Sequence, residues 1–242
     1  MLQKVLSFTR RCIEDYDMIA PNDRIAAGVS GGKDSLTMLL ALANLKRFYP
    51  VPFELEAVTL DMGFEGMDFS PITVLCDELG IHHTVIKTQL KEIIFDVRRE
   101  ENPCSLCAKM RRGALHDAAI SIGCNKCALG HHHDDAVETL MLSLFYEGRI
   151  GCFRPVTYLD RKNITLIRPM LYTPERLIRS LANGYPLPVI KNPCPADGNS
   201  KRQKMKDLVK MLDKQNPGLR ERLFGAMQRL PLEGWEKTDI RR

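Results

Sequence analysis

A doubly wound α/β fold around a mostly parallel sheet is the architecture this sequence predicts, and three observations predict it. Short apolar runs suited to buried strands alternate with longer helix-forming stretches over most of the chain. The 242 residues suffice for one substantial α/β domain with an appendage. Polar, glycine-bearing loops also recur just after apolar runs, at Ser30, Asp61 and Gly130, and ligands in such sheets bind beyond the carboxyl ends of the strands.

The elements follow in order. Residues 2–18 carry apolar positions at helical spacing and read as an amphipathic helix. Residues 24–29 are short and apolar enough for a buried strand, and residues 35–48 are dense in helix formers. Residues 53–60 alternate and then turn apolar, as a second strand would, before Asp61 and Gly63. A helix over 72–79 stops at Gly80, a third strand covers 82–86, and a long helix over 105–122 stops at Gly123. Strand four is expected over 126–130, a helix over about 134–146, and strand five over 164–167 ahead of Arg168-Pro169. Four prolines then interrupt residues 185–198, and helices over 201–215 and 219–230 close the chain. The predicted organisation is an N-terminal helix (1–22), a nucleotide-binding α/β domain (23–185) and a basic helical C-terminal extension (186–242).

The most specific stretch is Ser30-Gly31-Gly32-Lys33-Asp34-Ser35, set between the first strand and its helix. Unpaired N–H groups and the helix dipole make such a junction an anion site. Gly31 and Gly32 let a phosphate approach the backbone, Lys33 adds a point charge, and Ser30 and Ser35 add hydroxyl donors. A Walker A loop does not fit. Its first glycine would have to be residue 27, which is Ala27, and Asp34 stands where a metal-binding Ser or Thr belongs. The hexapeptide resembles the signature of the PP-loop ATP pyrophosphatases, which cleave ATP between the α- and β-phosphates.

Composition narrows the class further. A hydrophobic content of 44% is that of a globular protein, and nowhere do eighteen consecutive apolar residues occur, so a soluble cytoplasmic protein without a membrane partner is expected. The net charge of +5 is localised, because residues 201–242 hold 12 of the 35 Lys and Arg but 6 of the 30 Asp and Glu. Such a basic tail, beginning at Lys201-Arg202-Gln203-Lys204-Met205-Lys206, suits a polyanion such as RNA or, alternatively, a solvated helix face.

Eight cysteines in a reducing compartment point to metal or thiol chemistry. Two C-x-x-C pairs, Cys104/Cys107 and Cys124/Cys127, stand sixteen residues apart, within zinc-ribbon spacing. Only the first suits a tight knuckle. Cys127 falls in the strand-like Lys126 to Gly130, and the intervening helix of roughly 22 Å would hold the pairs apart. Cys194, in the proline-braced Asn192-Pro193-Cys194-Pro195, offers the first pair a third thiol, and three cysteines on two rigid loops suit an iron–sulfur cluster.

Taken together, Ser30 to Ser35, Pro103-Cys104-Ser105-Leu106-Cys107-Ala108-Lys109-Met110-Arg111-Arg112-Gly113, Ala128 to Asp135 and Arg168-Pro169-Met170 resemble the tRNA 2-thiocytidine synthetase family across roughly residues 1–200. That resemblance implies the adenine nucleotide α-hydrolase-like fold and an ATP-dependent tRNA thiolase. It implies a 4Fe–4S cluster on Cys104, Cys107 and Cys194. Many members carry a second C-x-x-C around the third cysteine, where this chain has Asp197, and often Arg where His133 stands. ATP would lie on Ser30–Ser35 with Mg2+ compensating its charge. Asp34 is then a magnesium contact or catalytic acid, or simply an acid favouring the helix dipole, and Asp61 a nucleotide or metal contact. Gly130 and His131 would receive ribose or adenine, and Asp134 and Asp135 would act on metal or base, or cap the following helix. Lys109, Arg111 and Arg112 would hold tRNA phosphate or neutralise the adenylate. A sulfur donor such as a cysteine desulfurase is implied, and a homodimer is allowed. The competing readings are thiolation of uridine, a PP-loop enzyme attaching nitrogen, and a zinc-ribbon nucleic-acid-binding module without catalysis.

Overall fold

The structure, a computed structural model, describes residues 1–98, 103–191, 193–194, 201–230 and 234–235. Asp197 lies outside them. Six strands form one sheet: β1 (Asp23–Gly28), β2 (Phe53–Asp61), β3 (His82–Lys87), β4 (Lys126–Ala128), β5 (Val156–Leu159) and β6 (Ile164–Ile167), in the order β3-β2-β1-β4-β6-β5. All pairings are parallel except β5 with β6, a hairpin turned by a 3-10 segment that ends at Asn163 in the left-handed region. β5 was not expected from the sequence, and the predicted fifth strand is β6.

Helix α1 (Leu2–Asp15) buries Val5, Leu6, Thr9, Cys12 and Ile13, one helical stripe. Helix α2 (Lys33–Lys46) buries ten of its fourteen residues, because it runs between the sheet, α1 and α6 (Glu175–Gly184). Helix α3 (Ser70–Leu79) ends on Gly80 in the left-handed conformation that stops helices. Helix α4 (Pro103–Ser121) covers the opposite sheet face, over a smaller cluster of Ala26, Val58, Cys127 and Leu166. Because β2 follows β1 to one side and β4 returns to the other, the strand order reverses between β1 and β4. Their carboxyl ends therefore flank the crevice where ligands bind.

Helix α5 (His133–Leu142) runs on into a π-helical turn, Ser143–Glu147. The C-terminal helices α7 (Lys201–Gln215) and α8 (Leu219–Arg229) pack on α5 and supply Met205, Val209, Phe224 and Met227 to the main core. Trp235 is 1% exposed, stands against Tyr16 and Phe224, and donates its indole N–H to the Phe153 carbonyl at 3.0 Å. The extension is thus built into the core rather than appended to it.

One buried acid lies under this junction. Glu138 on α5 is 2% exposed, and its Oε1 has no hydrogen-bond partner among the described residues. Burial, reinforced by Asp135, pushes its carboxyl up to about 7. A folded-state value above the unfolded one of ~4.3 means stability is greatest below pH ~4.3 as far as this group goes, and is lost as pH rises through 7. Glu138→Gln is therefore expected to raise the melting temperature more at pH 8 than at pH 5. An equal gain at both would place the carboxylate in a satisfied site.

Candidate functional site

The loop between β1 and α2 is shaped by its glycines and serines. Gly31 sits at φ +81°, and a Cβ there would also fall 3.1 Å from Ile190. The Ile190 N–H donates to the Gly31 carbonyl at 2.9 Å, so the segment after α6 straps the loop. The Ser35 hydroxyl accepts the Ser30 N–H at 3.1 Å and donates to the Gly32 carbonyl at 3.0 Å. It braces the loop, which leaves Ser30 the more accessible of the two hydroxyls to a ligand. Gly32 starts α2 without any side-chain cap, leaving the helix N-terminus open toward an anion.

Gly130, two residues past β4, approaches this helix start so closely that an added Cβ would lie 3.1 Å from both N and Cα of Ser35. Backbone cannot yield as a flexible side chain can. Gly130→Ala is expected to destabilise the fold by about 1–3 kcal/mol and to weaken ATP binding by spreading the two loops. Calorimetric melting with ATP titration checks both, and wild-type ATP affinity would separate Gly130 from the nucleotide site.

Lys33 points its ammonium at Asp34 (2.8 and 3.0 Å) and at Glu175 Oε1 (3.1 Å). Burial would lower its pKa, but these two carboxylates overcome that and hold it raised, so the charge persists. Glu175, at the start of α6, also receives Lys206 at 2.9 Å and Arg179 at 3.1 Å. Burial works against its charge, yet Lys206 and Lys33 pull its carboxyl well below the usual range. Sequence reading missed Glu175 altogether, because α6 was not expected and its partner Lys33 starts α2, far away in sequence.

The Ala128-to-Asp135 stretch resolves into separate jobs. His131 is half-buried; burial of its ring and the nearby Arg168 push its imidazole down to about 3, so it is neutral, and its ring lies 4.8 Å from Phe153. His132 is the N-cap of α5: its Nδ1 accepts the Asp135 N–H at 3.3 Å while Asp135 accepts the His132 N–H at 3.0 Å. Its Nε2 stands 3.7 Å from Asp34, which makes it, rather than His131, the histidine facing the anion loop's carboxylate. Asp135 also receives Arg202 at 3.1 Å. Asp134 is turned away from this centre. It accepts the Glu175 N–H at 2.7 Å and pairs with Arg220 of α8. With both oxygens occupied by the fold, its geometry speaks for tying α5, α6 and α8 together rather than for contact with metal or base. Asp61 accepts the Gly63 N–H at 2.9 Å, forming the turn after β2.

Cys104 and Cys107 lie on the first two turns of α4, not on a loop knuckle. Cys104 is exposed, and Cys107 and Cys194 are half-buried. Burial raises the Cys107 thiol, a hydrogen bond and charge from Arg111 lower it, and Cys194 and Cys104 raise it again, so both of those thiols lie within electrostatic reach of Cys107. No closed group of three potential metal ligands stands among the described residues. The donor set, three thiols beside one cation, is nevertheless one that suits a cluster leaving an iron without a protein ligand. Cys124 and Cys127 are buried beyond the other end of α4, with thiols pushed by burial up to about 11 and about 12. The nineteen-residue α4, roughly 28 Å long, separates the two pairs and removes the zinc-ribbon arrangement.

Comparison with known proteins gives a family model described as a PP-loop domain, which matches residues 3–210. A tRNA-cytidine(32) 2-sulfurtransferase of Geobacter sulfurreducens is 40% identical over 228 residues, covering 93% of this chain and 89% of that protein. Its counterpart in Teredinibacter turnerae is 41% identical over 222 residues, covering 91% and 74%. Among solved structures, the U34-tRNA thiolase NcsA of Methanococcus maripaludis, determined with its [4Fe-4S] cluster, superposes with a TM-score of 0.74 at 27% identity, covering 92% of this chain and 77% of that one. The NAD+ synthetase of Burkholderia pseudomallei, at 15% identity and a TM-score of 0.53 over 95% and 89%, shares the fold.

Proposed function

Because this chain belongs to the PP-loop family, among the tRNA-cytidine(32) 2-sulfurtransferases, we propose that it uses ATP to activate the C2 oxygen of a cytidine in tRNA and exchanges that oxygen for sulfur. One observation carries the reading: the anion loop and the cysteine trio are physically chained. The Ile190 N–H is bonded to the Gly31 carbonyl, Cys194 follows four residues later, and Cys194 lies within electrostatic reach of Cys107. Activation and sulfur transfer can then share one crevice.

The chemistry runs in two displacements. The pyrimidine O2 attacks the α-phosphorus of ATP, forming an O–P bond and releasing pyrophosphate. Sulfur then adds at C2, and the C–O bond breaks as AMP leaves with the original oxygen. Lys33, with the open N-terminus of α2, neutralises charge on the departing pyrophosphate. For Lys33 this means leaving Glu175, which keeps Lys206 and Arg179 as partners. Asp34 orients Lys33 and faces His132, and magnesium accompanies the triphosphate. Ser30, Gly31, Gly32 and Gly130 form the wall on which ATP rests, with neutral His131 behind it. A 4Fe–4S cluster held by Cys104, Cys107 and Cys194 would supply, when bound, a place for sulfur beside the activated base, with a desulfurase as donor. Arg111, next to Cys107, is placed to neutralise the adenylate.

The test is an anaerobic reaction of iron-reconstituted protein with an unmodified tRNA transcript, ATP, magnesium and sulfide, followed by nucleoside mass analysis. AMP release with 2-thiocytidine is expected. Formation of 2-thiouridine would change the base, and AMP release without any thionucleoside would overturn the sulfur transfer.

A further inference from the structure

At the start of α7, Arg202 binds Asp135 and Thr139 and Lys206 binds Glu175, while Lys201 and Lys204 stand exposed. A second surface gathers cations around one cleft. Lys109, Arg112 and His116 share one face of α4. With Phe153, Arg154 and Arg168 they line a cleft of about 460 Å³, within the usual range for a small ligand. Four cations and no carboxylate line it among the described residues.

The floor of this cleft is built to hold charge. Arg168 is only 7% exposed, lies 4.9 Å over the Phe153 ring, and donates to the Arg154 carbonyl and the Thr157 hydroxyl. Its Nε has no partner among the described residues, and neither has Nε2 of His116, itself 6% exposed. Two unpartnered buried donors or acceptors beneath a ring of cations call for an anionic ligand with hydrogen-bonding edges.

We propose that this cleft holds a nucleotide of the RNA substrate flanking the one that is modified, with its phosphate on Lys109, Arg112 and Arg154 and its base over the Phe153–Arg168 stack. The proposal rests on the tRNA reading above. Cys104, Cys107 and Arg111 occupy a different face of α4, so one helix divides the sulfur chemistry from the grip on the RNA. His131 against Phe153 joins the cleft to the nucleotide loop.

The experiment compares binding of a labelled tRNA transcript at several salt concentrations. It uses wild type, Lys109→Ala with Arg112→Ala, and Lys4→Ala with Lys46→Ala as an exposed control. The cleft pair is expected to lose about tenfold in affinity and to show a log K against log salt slope shallower by roughly 0.7–0.9 per lost phosphate contact. Melting temperature and ATP affinity should stay at wild-type values, because both side chains are exposed on α4. Unchanged affinity and slope in the cleft pair, with wild type binding tRNA, overturns the cleft alone. A similar loss in the control pair also overturns it. Failure of wild type to bind tRNA overturns the tRNA reading and the cleft together.

Discussion

Lys33→Ala should cut AMP formation by ~10²-fold or more, the usual cost of deleting a charge that stabilises a phosphoryl transition state, while the protein remains folded. Removing one partner of a buried ion pair ordinarily strands the other at a cost of about 3–5 kcal/mol. Here Glu175 retains Lys206 at 2.9 Å and Arg179 at 3.1 Å, so its carboxylate is not orphaned. Asp34, about one-third exposed, can turn to water. The two measurements are single-turnover AMP release and thermal melting. Near-normal AMP release would remove the anion loop from the chemistry, and a collapse in melting temperature would make Lys33 a structural residue.

The second large effect concerns the cysteines. Cys104→Ser, Cys107→Ser and Cys194→Ser are each expected to lose iron and acid-labile sulfide, along with all thiolation. Cys124→Ser and Cys127→Ser should keep both. Their cost is in stability, roughly 1–3 kcal/mol for placing a hydroxyl among Ala26, Val58 and Leu166 without a partner. Iron and sulfide content after anaerobic purification, beside melting curves, separates the two sets. Loss of metal from the second set would return the zinc arrangement that α4 holds apart.

The contrast between Lys33 and Asp134 shows how far the sequence alone reaches. Lys33 was legible because its chemistry and its position come from one contiguous strand–turn–helix unit, and the order of strands and helices around it was legible for the same local reason. Asp134 sits in an equally suggestive run, yet its partners are a backbone N–H on α6 and an arginine on α8, neither near it in sequence. The same holds for Glu175, whose importance lies wholly in reaching Lys33. His132 was passed over for its neighbour because which of consecutive histidines caps α5 depends on where that helix starts, a boundary that periodicity fixes only loosely. The basic tail shows the converse limit at Arg202 and Lys206. Composition counts charges but not the acids, Asp135 and Glu175, that meet them on another element.

The aromatic junction of Tyr16, Tyr172, Phe224 and Trp235 has a consequence for how the molecule comes into being. Tyr16 caps the end of the first helix, and Trp235 lies beyond every strand and helix of the fold. On the ribosome, the opening helix therefore emerges long before the surface that buries its end exists. Strands β1 and β2 can pair early, since they adjoin in sequence, but β1 must wait for β4 on its other edge. A nascent chain halted before α7 would expose the apolar face of α5 that Met205 and Val209 later cover. Emergence of α7, α8 and Trp235, rather than of the sheet alone, would then be the step that commits this protein to its native state. Chaperone occupancy of stalled nascent chains should accordingly fall only once Trp235 has cleared the tunnel.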